Sequence, residues 1–214
     1  MTLPFWHIAF CFVPLLTVEI ILLIRCKKDF ELLLQGAVLL GLLALIPATL
    51  IQTMALKLPL FSRHLQSSIL IFLISSLLIN GFIEEASKAG CLFFLSSKKI
   101  SFARFLMLAL VAGLSFGSFE TVIYMINGSK NLFVRFFTAE ILHAACSVCS
   151  AVTVYNIKTK RPAKIFWFVL ACVLHGFYNF FYVLGSGFIV CAVFCLASSI
   201  IYAYKAYTES KKDV

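Results

Sequence analysis

Charge is scarce in this chain. Only 13% of its 214 residues are Asp, Glu, Lys or Arg, with 9 acids against 18 bases. A soluble domain carries about 25% charged residues, so an extended water-facing surface is excluded. No exposed basic domain stands out, and the net charge of +9 therefore does not point to nucleic acid. Linkers, low-complexity segments and internal repeats are lacking too. Residues 1–214 read as one integral membrane domain, and the paired halves common in transporters are missing. No basic stretch precedes the first apolar run and no small-residue cleavage site follows it, so a retained anchor is expected there rather than a removed signal peptide. The chain also lacks a His-Glu-x-x-His motif and any well-spaced Ser-His-Asp or Cys-His arrangement, which excludes the familiar hydrolase signatures.

What is present is apolar: 62% of residues are hydrophobic and the mean hydropathy is +1.03. Apolar stretches fall near 5–24, 32–51, 68–95, 102–126, 132–156, 164–184 and 187–205. Each has about the 20 residues that cross a hydrocarbon core, which predicts an all-α, polytopic transmembrane bundle of about seven spans. Pro47 and the stretch Gln52–Pro59 blur the end of the second. Most basic residues fall in alternate connections: Arg25, Lys27 and Lys28; Lys98, Lys99 and Arg104; Lys158, Lys160, Arg161 and Lys164; Lys205, Lys211 and Lys212. The opposite side holds Lys57, Arg63, Lys130 and Arg135. The positive-inside rule then places the N-terminus outside and the C-terminus in the cytoplasm, with the bases near anionic lipid. Eight cysteines are scattered through the spans, and Cys146-x-x-Cys149 is expected to act as small buried apolar residues.

Against this background, Glu84, Glu85 and Lys88 lie inside one apolar run. A charge at the bilayer centre costs about 2.5–3.5 kcal/mol, and such residues mark functional sites. At 1.5 Å per residue, Glu85 and His175 sit roughly 16 Å from the cytoplasmic edge, His143 roughly 19 Å and Glu120 roughly 25 Å. Four helices, over about 68–184, thus carry ionisable groups to a similar depth, and one shared site is expected. Glu84 and Lys88 are spaced i, i+4, an order that lets the lysine hold that carboxylate ionised. His175 and Asn179 share a face in the same way, and Gly113-x-x-x-Gly117 allows close helix approach. Glu140 lies one turn before His143, a Glu-x-x-His spacing also found in di-iron bundles.

A carboxylate that activates water, an imidazole that shares the proton, and an amide that donates to an oxyanion are the parts of amide hydrolysis. No cofactor is needed for that reading. Two alternatives stay open on the residues: a zinc-dependent hydrolase with Glu84, Glu120, His143 and His175 as ligands, and a proton-coupled transporter whose Glu and His residues form a relay.

Glu84-Glu85-x-x-Lys88, Phe116-x-x-x-Glu120, His143 and His175-x-x-x-Asn179, in order on successive helices, resemble the PrsW family of bacterial membrane proteases. That family is similar to the wider CAAX-protease and bacteriocin-processing group, and the resemblance spans roughly 81–180. It implies a glutamic intramembrane protease in which Glu84 and His175 activate water, Asn179 contributes to the oxyanion hole and Glu85 supports the site. The CAAX enzymes have a His where Glu120 stands and an Arg one position beyond Lys88, so Glu120 and Lys88 are not direct counterparts, and His143 is left to stand in for the oxyanion-hole His. The resemblance further implies a multi-pass protein of the bacterial cytoplasmic membrane. Its partner would be a membrane-anchored protein substrate, such as an anti-sigma factor in a stress response.

Overall fold

The computed structural model describes residues 5–25, 30–61, 68–96, 100–128 and 132–212. Helices account for the fold, and no strand occurs among the described residues: α1 (Phe5–Cys11), α2 (Val13–Arg25), α3 (Glu31–Ala55), α4 (Ile69–Leu92), α5 (Phe102–Ile126), α6 (Leu132–Lys158), α7 (Phe166–Leu184) and α8 (Ile189–Ser210). Six of these, α3 to α8, are long and apolar enough to cross a membrane, which makes the chain a polytopic helical bundle. The apolar run over 5–24 forms two helices of 7 and 13 residues. Pro14, at the start of α2, cannot donate to a preceding turn, so the chain breaks at Phe12. Of the bases that carry the charge asymmetry, Lys27, Lys28, Arg63, Lys98, Lys99 and Lys130 lie outside the described residues.

Each span has a local reason to form where it does. Ser101 is extended and its hydroxyl accepts from the backbone N–H of Arg104, capping α5. Gly185, at φ +93°, ends α7 in a conformation that only glycine adopts readily. Pro47 does not stop α3, which continues to Ala55. Helices α5 and α6 form the buried centre, with Phe105, Leu108, Val111, Leu142 and Val152 in the core. Outward faces carry Leu32, Phe94 and Val190, each at least 75% exposed, as suits contact with acyl chains and not water.

Two seams of small residues set the helix positions. A Cβ on Gly113 would come within 2.5 Å of the His143 carbonyl, and one on Gly117 within 2.9 Å of Glu140 Cα, so α5 and α6 touch backbone to backbone. The second seam joins α4 to α7. A Cβ on Gly176 would lie 2.7 Å from Leu77 Cα, and one on Gly81 would strike the Cys172 carbonyl. This seam lies in a π-helical stretch, Ser76–Ile83, that ends one residue before Glu84. Such wide turns rotate the next part of the helix about its axis and are frequent at functional sites. Gly81→Val and Gly176→Val are therefore expected to cost stability, at about 1–3 kcal/mol for overpacking or more where backbone must move. Gly36→Ala and Gly90→Ala, where an added Cβ meets nothing within 4 Å, are expected to leave it unchanged. Thermal unfolding in detergent micelles measures the contrast.

Candidate metal centre

The seams bring α4, α5, α6 and α7 together around six ionisable side chains, and α3 adds an amide. Glu84 and Glu85 open the second α-helical part of α4, after the π-helical stretch, and are both buried. Gln52, near the end of α3, donates to Glu84 Oε1 at 2.7 Å and to the Ile79 carbonyl at 3.1 Å. No hydrogen bond reaches Glu84 Oε2. That oxygen faces His175 Nε2 at 3.5 Å and His143 Nδ1 at 3.9 Å.

Each imidazole is held from behind by a different carboxylate. His175 Nδ1 lies 2.8 Å from Glu85 Oε1, and His143 Nε2 lies 3.0 Å from Glu120 Oε2. An ionised carboxylate only accepts, so the proton sits on Nδ1 of His175 and on Nε2 of His143. The other nitrogen of each ring then presents a lone pair toward Glu84 Oε2. Such carboxylate–histidine pairs orient metal ligands and raise their basicity.

Lys88 pairs with Glu85, its Nζ 2.5 Å from Oε1, where i, i+4 spacing points to Glu84. Glu84 is turned toward α3 and the imidazoles, while Glu85 meets Lys88 one turn on and also accepts from the Ser150 hydroxyl at 3.0 Å. Lys88 Nζ also approaches His143 Nδ1 at 3.3 Å and sits 5.0 Å from the centre of the Phe116 ring. One amide hydrogen of Asn179 goes to the carbonyl of His175 in its own helix, at 3.3 Å. Glu140 is fully buried beside Gly117 and accepts from Ser118 at 3.4 Å. Cys146 and Cys149 are buried in the apolar core. The structure thus joins Glu84, Glu85, Lys88, Glu120, His143 and His175.

Two contributors stood outside the sequence reading. Gln52 looks there like the end of a span, although an amide at the edge of an apolar run was a signal. Ser150 continues a stripe of polar residues on α6, Glu140, His143, Ser147 and Ser150, at helical spacing.

A metal ion fits these residues. One donor atom each from Glu84, His143 and His175 lie within 4.8 Å of one another, all buried. Counted formally, three carboxylates surround one ammonium, an excess of negative charge that a divalent cation balances. Lys88 would lose only its longer contact, to His143, and keep Glu85. Two imidazoles and one carboxylate are also a known catalytic zinc set with a position left open.

A helical membrane bundle with such a centre belongs among polytopic proteins that do chemistry within the bilayer. The model of the PrsW family, described as intramembrane metalloproteases, matches residues 30–204, well over half of the chain, which belongs to that family. It is a multi-pass membrane protease, and its substrates are membrane proteins. No curated protein and no solved structure matches. The expectation that hydrolysis needs no cofactor is overturned by the family's metalloprotease character and by the cluster of Glu84, His143 and His175. The physical reason is in the tautomers: both rings have their second nitrogen engaged and turn a lone pair inward, an arrangement suited to a cation.

Proposed function

We propose that the chain is a zinc-dependent intramembrane endopeptidase in which Glu84, His143 and His175 hold the metal. The observation that carries this reading is the buried, unbonded Glu84 Oε2 facing two imidazole nitrogens. Bound there, zinc would supply a Lewis acid and a water of lowered pKa. Glu85 and Glu120 fix the ring tautomers, and Gln52 holds Glu84 so that Oε2 faces the rings. Glu120, the most open carboxylate of the cluster with a side chain 14% exposed, holds His143 from the edge away from the metal. Hydrolysis would add the hydroxyl of the water to the scissile carbonyl carbon, break the C–N bond and pass the proton of the water to the departing amine. Lys88 keeps a proton at Nζ beside the rings and stabilises charge that develops on the carbonyl oxygen. The substrate class is a single-pass, membrane-anchored protein, and an anti-sigma factor of the bacterial cytoplasmic membrane fits that class.

The test combines metal analysis of purified protein with cleavage of single-pass substrates, anti-sigma factors included, before and after chelation. About one zinc per chain is expected, with cleavage lost in chelator and restored by zinc. Full cleavage by metal-free protein overturns the reading. Glu120→Gln, which leaves a neutral acceptor behind His143, is expected to lower metal affinity roughly 10–100-fold and cleavage with it. Wild-type metal affinity in that variant would mean that Glu120 does not tune His143.

A further inference from the structure

A cavity of about 250 Å³ lies between α3 and α5, and two of its lining residues, Gln52 and Glu120, hydrogen-bond to Glu84 and His143 of the metal cluster. We propose that this cavity is the substrate cleft. It receives an unwound, apolar stretch of the substrate's membrane segment, reached from the end of the bundle opposite the basic connections. This inference rests on the proteolytic reading above.

The cluster itself is closed: side-chain exposure is 5% at Glu84, 3% at His143 and 1% at His175. Glu120 is open by comparison, at 14%, and it opens onto this cavity. The walls include Phe116, Ile123, Thr49 and Tyr124, a mainly apolar surface with hydroxyls for a peptide's own polar groups. Chemistry decides the form of the occupant. In a helix each carbonyl is hydrogen-bonded within its own segment and sheathed by side chains. An extended stretch of a few residues frees the carbonyl that hydrolysis attacks.

Position decides the side. The cavity includes Thr49, Gln52, Ile123 and Asn127, at the C-terminal ends of α3 and α5. The basic residues Arg104, Lys158 and Lys160 lie at the other end of α5 and α6. On the charge asymmetry, access is therefore from the outer half of the membrane. A larger groove of about 440 Å³, lined by Val18, Leu106, Ala145, Ile200 and Tyr204 among others, contains none of the cluster residues. It serves as the internal control.

The test is photo-crosslinking with site-specific benzophenone residues at Thr49 and Ile123, both exposed, and at Ile200 and Tyr204 in the control groove. The probe is a single-pass Leu/Ala peptide with a Gly-Pro break in its outer half, compared with an unbroken version. Crosslinks from Thr49 and Ile123 to the broken peptide, at least tenfold above those from Ile200 and Tyr204, are expected. In parallel, Thr49→Trp and Ile123→Trp are expected to raise KM at least tenfold with metal content unchanged, while Ile200→Trp stays within twofold. Silence at Thr49 and Ile123, or crosslinks in the control groove alone, overturns the cleft. Crosslinks at Thr49 without cleavage by wild type overturn the protease reading and leave the cleft standing as a binding site.

Discussion

Replacing His175 with alanine is expected to empty the metal centre and to lower cleavage by a thousandfold or more. Three donors converge in the structure, and the variant leaves two, Glu84 Oε2 and His143 Nδ1, which lie 3.9 Å apart. A Lewis acid contributes several kcal/mol to hydrolysis, and about 4 kcal/mol corresponds to roughly a thousandfold in rate. The fold should survive. Glu85 loses one hydrogen bond but keeps Lys88 at 2.5 Å and Ser150 at 3.0 Å, so the buried Glu85–Lys88 pair stays intact. Glu84→Gln is expected to behave alike by a different route. The amide keeps the shape and can still meet Gln52, but it removes the anion that faces the two rings. Zinc per chain, peptide cleavage and thermal unfolding, measured together, separate loss of the centre from loss of the fold. Either variant cleaving within tenfold of wild type, while well folded, would remove Glu84 and His175 from the centre.

Much of this architecture was legible because the bilayer is a demanding solvent. Apolar runs near 20 residues long become helices α3 to α8, and ionisable residues inside such runs are costly enough to be conspicuous. Glu84, Glu85, Lys88, Glu120, His143 and His175 meet in the structure after being placed at similar depth by counting residues. Rotation about each helix axis was not legible. The π-helical stretch over Ser76–Ile83 alters pitch just ahead of the carboxylates, and Lys88 meets Glu85 and not Glu84. Gln52 was hidden for another reason. Its partner Glu84 is 32 residues away on another helix, and no local pattern records that contact. Zinc stayed only an alternative for the same cause: Glu84, His143 and His175, three of the four ligands named for it, come from α4, α6 and α7, so no short spacing motif exists to be read. Phe12, where the first apolar run breaks, is explained by Pro14, which a hydropathy count does not weigh.

Removing Glu85 is expected to damage the fold more than any other single change in the cluster. Its carboxylate accepts from Lys88, His175 and Ser150, and its side chain is fully buried. Glu85→Ala leaves the Lys88 ammonium buried without its closest counter-charge, and breaking such a pair typically costs about 3–5 kcal/mol. His175 would also lose the acceptor that fixes its tautomer, a change worth roughly 10–100-fold in metal affinity. The two effects separate in a paired variant. Glu85→Gln with Lys88→Met removes both charges while keeping shape, and thermal stability is expected to return to near wild type. Metal affinity should stay low, because a neutral amide polarises the His175 N–H less than a carboxylate does. Competition with a zinc-binding dye, read beside the unfolding temperature, tests both halves. Wild-type affinity in the paired variant would mean that Glu85 only neutralises Lys88 and leaves His175 alone. Recovery of stability without affinity would assign it both tasks: holding the cation of the fold and orienting a ligand of the centre.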